Sequence, residues 1–167
     1  MRIALLVLCF LAFSASAGGP VFPPGWRSPT DEELQDSWRD NCLNRCAWIA
    51  GDFNGDGLVE GAFLAIHEKR RVFSLLAFVY SAPSKARWFV LDELGDPSWV
   101  TIMGVQLYQP GSYRVMCSDP GKSCARDGKT SLRIEKPAIS YFRSESAGSV
   151  IFWNERKKRF DRVWESD

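Results

Sequence analysis

From residue 58 to residue 80 the chain reads LVEGAFLAIH-EKRR-VFSLLAFVY. Two apolar runs, 58–67 and 72–80, flank the charged tetrad Glu68-Lys69-Arg70-Arg71. Both runs are rich in Val, Ile, Leu and Phe, which suit a pleated surface, and the tetrad between them suits a solvated tip. They predict a β-hairpin. The unbroken run SLLAFV predicts a central strand buried on both faces.

Shorter apolar runs continue downstream at 87–91 (RWFVL), 99–108 (WVTIMGVQLY), 113–117 (YRVMC), 131–135 (SLRIE), 138–142 (AISYF), 149–153 (SVIFW) and 159–164 (RFDRVW). Turn signals separate them, among them Gln109-Pro110-Gly111-Ser112 and the charged tip at 154–158 (NERKK). About nine short strands punctuated in this way predict a mainly β fold, an antiparallel sheet or sandwich. Upstream, Thr30-Asp31-Glu32-Glu33 has the form of a capping box. Leu34, Trp38 and Cys42 follow at i, i+4 and i+8, predicting one N-terminal α-helix of about three turns.

With 167 residues, 46% hydrophobic and 25% charged, the chain is long enough for one core and too apolar for disorder. Residues 1–17 have the layout of a signal peptide: Arg2, the apolar run 3–13 (IALLVLCFLAF), then Ala15-Ser16-Ala17 before the cleavage point. The run is too short to span a bilayer, which takes about 20 apolar residues. This predicts an exported protein, periplasmic or secreted, with an irregular lead-in at 18–29 and a single β-rich domain over 30–167. The full chain carries 21 Lys+Arg against 20 Asp+Glu. Losing Arg2 with the leader brings the formal charge to zero, which excludes long-range attraction to nucleic acid or an anionic membrane.

After processing, Cys42, Cys46, Cys117 and Cys124 remain, an even set in an oxidising compartment. Two local disulfides are expected. Cys117 and Cys124 bound a loop with a Pro-Gly turn, and a Cys42–Cys46 bridge requires the helix to end near Cys42. The alternative ties both helix cysteines to the 117–124 loop. Neither pair has the C-x-x-C spacing of a zinc site.

The stretch 51–60 (GDFNGDGLVE) carries the one motif with a mechanism. Asp52, Asn54 and Asp56 alternate, Gly57 permits a sharp turn, and Glu60 stands at the ninth position from Asp52. Calcium takes six to eight oxygen ligands, and this spacing can curl several onto one centre. Side-chain oxygens of Asp52, Asn54 and Asp56, the Leu58 carbonyl and the Glu60 carboxylate form the expected Ca²⁺ set. Phe63 stands where an EF-hand has its glutamate, so the motif is not an EF-hand.

These nine residues resemble the calcium loops of FG-GAP and VCBS-type repeats, D-x-[DN]-x-D-G-x-x-[DE], which join two antiparallel strands. Glu60 replaces the commoner aspartate. The resemblance implies a structural calcium ion and a blade-like hairpin. One copy in a chain this short excludes a multi-bladed propeller.

Catalytic chemistry is poorly supplied. His67 is the one histidine and falls at a strand end, and the cysteines are expected to be oxidised. Asp92, Glu93 and Asp96 could supply a glycosidase pair, but they lie in the polar turn DELGDP. The chain therefore reads as a binding protein rather than an enzyme. In size, export and texture it is similar to periplasmic immunity proteins and lysozyme inhibitors. That likeness implies a protein partner, a secreted toxin enzyme whose cleft is blocked by an exposed loop. Pro110, Gly111, Ser112 and Tyr113 are the expected contacts, with the 118–123 loop beside them. The competing readings are a calcium-stabilised structural or adhesive envelope module and a carboxylate-based hydrolase.

Overall fold

The computed structural model describes residues 21–82, 85–116, 129–146 and 148–165. The expected leader, Cys117, Cys124 and the 118–123 loop between them lie outside the described residues. Strands β1 (Trp26–Arg27), β2 (Trp48–Gly51), β3 (Glu60–His67), β4 (Val72–Ala82) and β5 (Lys85–Leu94) form one sheet. Its order is β1-β3-β4-β5, with β2 also on β3. β6 (Met103–Tyr108) leads into a two-stranded ribbon of β7 (Gly111–Met116) and β8 (Lys129–Ile134). β9 (Ala138–Arg143), β10 (Gly148–Asn154) and β11 (Arg159–Trp164) then join β6 in a second sheet, ordered β11-β10-β9-β6. Every pairing is antiparallel.

Alternation along the strands builds three layers. Leu64 and Leu75 of the first sheet pack with Val105, Ile139 and Ile151 of the second. On the far side of the second sheet, Ala138 and Val150 meet Val115 and Ile134 of the ribbon. Ile151 thus faces one neighbour and Val150 the other, so the second sheet is covered on both faces. In β4, every residue from Phe73 to Val79 is buried, as the run SLLAFV predicts. The outer face of the first sheet is an aromatic cluster. Phe22 stacks on Trp88 with centroids 5.4 Å apart and meets Phe63 at 5.3 Å, while Phe78 lies 5.2 Å from Trp88.

The mainly β, antiparallel architecture matches the expectation from sequence, but the N-terminal α-helix does not form among the described residues. In its place stand three short 3-10 turns, Glu32–Leu34, Ser37–Asn41 and Leu43–Cys46. The capping box itself is real: the Thr30 N–H donates to Glu33 at 2.8 Å and the Glu33 N–H donates to Thr30 Oγ1 at 3.3 Å. Two packing demands then break the helix. Cys42 and Cys46 are disulfide-bonded with Cα atoms 5.1 Å apart, and Asn44, Arg45 and Cys46 take left-handed φ values of 52°, 53° and 52°. Arg39 turns inward and is fully buried, donating to the carbonyls of Arg45 (2.7 Å), Met103 (2.6 Å) and Val100. Burial pulls its pKa down to about 10. Its neighbour Trp38 packs edge-on against Phe142. Adjacent positions that both face the protein do not fit a straight amphipathic stripe.

Arg27 in β1 fastens this segment with two 2.8 Å bonds to the Glu33 carboxylate. The Arg27 bond holds Glu33 down to about pH 2 as its half-protonation point. Its stabilisation is therefore complete above the ordinary carboxylate range near pH 4.5 and is lost as pH falls toward 2. Glu33→Gln is expected to melt below the native chain at pH 7 and to converge with it near pH 2, in paired thermal melts.

Candidate functional site

The 52–59 segment joins β2 to β3 and is folded around its own side chains. Asp52 Oδ1 accepts from the N–H groups of Gly55 (2.6 Å) and Asp56 (3.0 Å), and Asp52 Oδ2 accepts from Gly57 at 3.0 Å. Asn54 Oδ1 accepts from the Asp56 N–H at 2.8 Å, and Asp56 Oδ1 from the Leu58 N–H at 2.8 Å. These are local side-chain-to-backbone turns of the kind Asn and Asp favour. They require the left-handed φ values of Gly55 (78°) and Gly57 (86°). From outside, the Lys136 ammonium donates to the Asn54 carbonyl. A side chain on Gly55 would meet Lys136 Cε at 2.6 Å, so glycine leaves room for that lysine.

Glu60 is the buried anchor of the loop, 1% exposed. Oε2 accepts from the N–H groups of Phe53 (3.0 Å) and Asn54 (3.2 Å). Oε1 accepts from Asn54 Nδ2 (2.7 Å) and from the Tyr80 N–H of β4 (3.1 Å). Burial pushes its pKa up to about 7 against these N–H donors, with the Asp56 charge adding to the rise. The signal for this burial lies in the strand itself. Glu60 shares a face with Ala62, Leu64 and Ile66, all buried.

In chemistry the set fits a hard cation, since Asp52, Asn54, Asp56 and Glu60 all carry oxygen donors. In their present placement these oxygens face N–H donors instead. Asn54 Nδ2 stands 2.9 Å from Asp56 Oδ2 and 2.7 Å from Glu60 Oε1, placing the positive end of an amide between two carboxylates. In the present placement that amide and the backbone N–H groups do the neutralising. Among the described residues no group of three or more His, Cys, Asp or Glu is gathered to hold a metal. Leu58 enters through its N–H.

The expected partner contacts occupy the link from β6 into β7. Pro110 and Ser112 are exposed, whereas Gly111 and Tyr113 are half-buried. Tyr113 is tied down: its hydroxyl donates to the Gln109 carbonyl, and its ring stacks on Tyr108 with centroids 4.6 Å apart. The turn is braced from within. The acids considered for hydrolysis each have another engagement. Asp92 holds Arg162 at 3.1 Å, Glu93 holds Arg70, and Asp96 accepts from the Ser98 N–H at 2.9 Å. His67 sits edge-on to Trp26 at 4.9 Å.

Between the Asn54–Asp56 loop and the Pro110 turn runs a trough of three adjoining concavities. The first, about 490 Å³, lies between the loop, Arg87 of β5 and Trp153 of β10. It shares Lys136, Trp153 and Glu155 with the second, about 620 Å³. The second shares Arg133, Ile134 and Glu135 with the third, about 540 Å³, which reaches Pro110, Gly111 and Ser112. Lys136 and Glu155 form a bridge across the trough at 3.5 Å, and Trp153 Nε1 donates to Glu155 at 3.0 Å. The trough joins two regions that the sequence singles out separately. Lys136 had no signal in the sequence, since its partners Asn54 and Glu155 lie on other elements, and Arg87 joins only because β5 lines the same concavity. Comparison with protein-family models, with curated proteins and with solved structures found no match.

Proposed function

We propose that the protein is an exported binding module, an inhibitor of the immunity type that blocks a secreted enzyme attacking the cell envelope. It holds its partner and does not transform it. The observation that carries this reading is the bracing of both rims of the trough. Glu60 and Lys136 fix the Asn54–Asp56 side, and Tyr108 and the Gln109 carbonyl fix the Pro110–Tyr113 side. Rims fixed before binding lower the ordering cost of association, which is what a tight inhibitor needs. Among the described residues no helix is long and apolar enough to cross a membrane.

The test is capture from envelope extracts with the processed chain, followed by assay of each captured enzyme with and without it. Stoichiometric loss of the enzyme's activity is the expected result. Captured enzymes that keep full activity would remove the inhibitor reading.

The same reading places Ca²⁺ in the loop as a structural ion, held by Asp52, Asn54, Asp56 and Glu60 with the Leu58 carbonyl. Bound, the ion would supply positive charge to the paired carboxylates and hold the loop still. Ligand present at ten times its Kd stabilises by about 1.4 kcal/mol, a rise of roughly 3–6 °C for a chain of this size. Thermal melts in calcium and in chelator check this, and superimposable curves would refute the ion.

A further inference from the structure

The trough differs in charge from the chain that carries it. The three concavities are lined by the cations Arg87, Arg133, Lys136, Arg156 and Lys158 against the carboxylates Asp56, Glu135 and Glu155. The whole chain has a formal charge of only +1. One of those carboxylates matters less to a visitor than its presence suggests: Glu155 is already engaged by Lys136 and Lys158. Arg87, Arg133 and Arg156 are exposed, and Arg87 is held over the Phe89 ring at 4.6 Å, which fixes the direction of its guanidinium.

The cations do not converge. Arg87 lies in the first concavity and Arg133 and Arg156 in the second, with the Lys136–Glu155 bridge between them. A single small anion needs donors gathered on one centre. Cations strung along a trough suit an elongated ligand with carboxylates at intervals. The interspersed Asp56 and Glu135, neither paired with a cation among the described residues, disfavour an evenly charged polyanion such as a nucleic acid, because each like charge along it costs binding energy. The wall of Trp153 offers apolar contact between the charges.

We infer that the trough binds an extended, acidic segment of a protein partner, with its carboxylates facing Arg87, Arg133 and Arg156. This deepens the binding-module reading above and rests on it for the partner being a protein. In an extended chain successive side chains point to opposite sides, so an acid at every second position places all its carboxylates toward the trough.

The experiment uses the processed chain and a fluorescent peptide of alternating Glu and Gly, read by anisotropy at low ionic strength. The comparison ligands are the Gln-Gly counterpart and a single-stranded oligonucleotide. The native chain is expected to bind the acidic peptide, more weakly as salt rises, and to ignore the Gln-Gly peptide. Arg133→Glu/Arg156→Glu is expected to lose binding by about tenfold or more. Lys69→Glu/Arg71→Glu makes the same charge change at the β3–β4 tip and is expected to leave binding within about twofold. Both pairs are exposed, and matching melts confirm that each variant is folded. Equal losses in the two variants, no binding of the acidic peptide, or tighter binding of the oligonucleotide would each overturn the assignment. An enzyme captured equally well by the Arg133→Glu/Arg156→Glu variant also overturns it while leaving the inhibitor reading intact. Trough-specific peptide binding without any inhibited enzyme supports the trough and removes the inhibitor reading instead.

Discussion

Arg39→Ala is expected to destabilise the protein by about 3–5 kcal/mol, the range for truncating a large buried side chain and leaving its acceptors unpaired. Arg39 is fully buried and bonds the carbonyls of Arg45, Val100 and Met103, so it ties the disulfide-closed turn to the entry of β6. No carboxylate accompanies it in that bonding, and three carbonyls share its charge. Truncation leaves those carbonyls without a donor and opens a cavity the width of a long side chain. Desolvation of the guanidinium offsets part of the loss, which is why the figure stays below the sum of three charged bonds. Arg39→Lys is expected to fall between the two, because an ammonium cannot reach the three acceptors that a planar fork spans. Urea unfolding of the three proteins checks the order. A Lys variant as stable as the native chain would show that charge alone suffices.

Glu60→Ala is expected to cost about 3 kcal/mol, since it orphans the N–H groups of Phe53, Asn54 and Tyr80 at once. The informative part is the ionic condition. The N–H groups need Glu60 whether or not an ion is present, so the loss persists in chelator. Any calcium response, by contrast, disappears in the variant. Asp52→Ala separates the two roles from the other side. It removes acceptors for Gly55, Asp56 and Gly57 at the exposed surface, where water replaces them. It is therefore milder in chelator than Glu60→Ala. Melts of both variants with and without calcium decide the matter, and a Glu60→Ala melt equal to the native one in chelator would refute the anchoring role.

The strands were legible because alternation and turn chemistry act locally. The hairpin of β3 and β4 and the bounds of β11 at 159–164 follow from the residues alone. The helix was not. Thr30 and Glu33 cap as their spacing says, but what stops the helix is a disulfide and a buried arginine whose partners lie some sixty residues away. The run 99–108 was split for a similar reason: Pro97–Thr101 forms a 3-10 turn capped by Asp96, and β6 begins only at Met103. β2 is four residues long, too short for a period to show. At the site, the loop acids were legible by type and spacing. Exposed Asp56 and buried Glu60 differ only in phase, Glu60 lying in step with the apolar face of β3. Lys136 and Arg87 belong to the site only through tertiary packing.

The pairing of β6 with β9 sets Tyr108 opposite Ala138 and Met103 opposite Arg143, with the whole ribbon threaded between them. The β9–β10–β11 meander, by contrast, closes over short turns. Loop-closure entropy favours the meander as the earlier event, with β6 expected to dock later. Until it does, one edge of the meander stays unpaired and open to strands of other chains. For this chain, then, the exposure to aggregation during folding is expected to last until β6 arrives, whose start is held in the folded protein by Arg39 at the Met103 carbonyl.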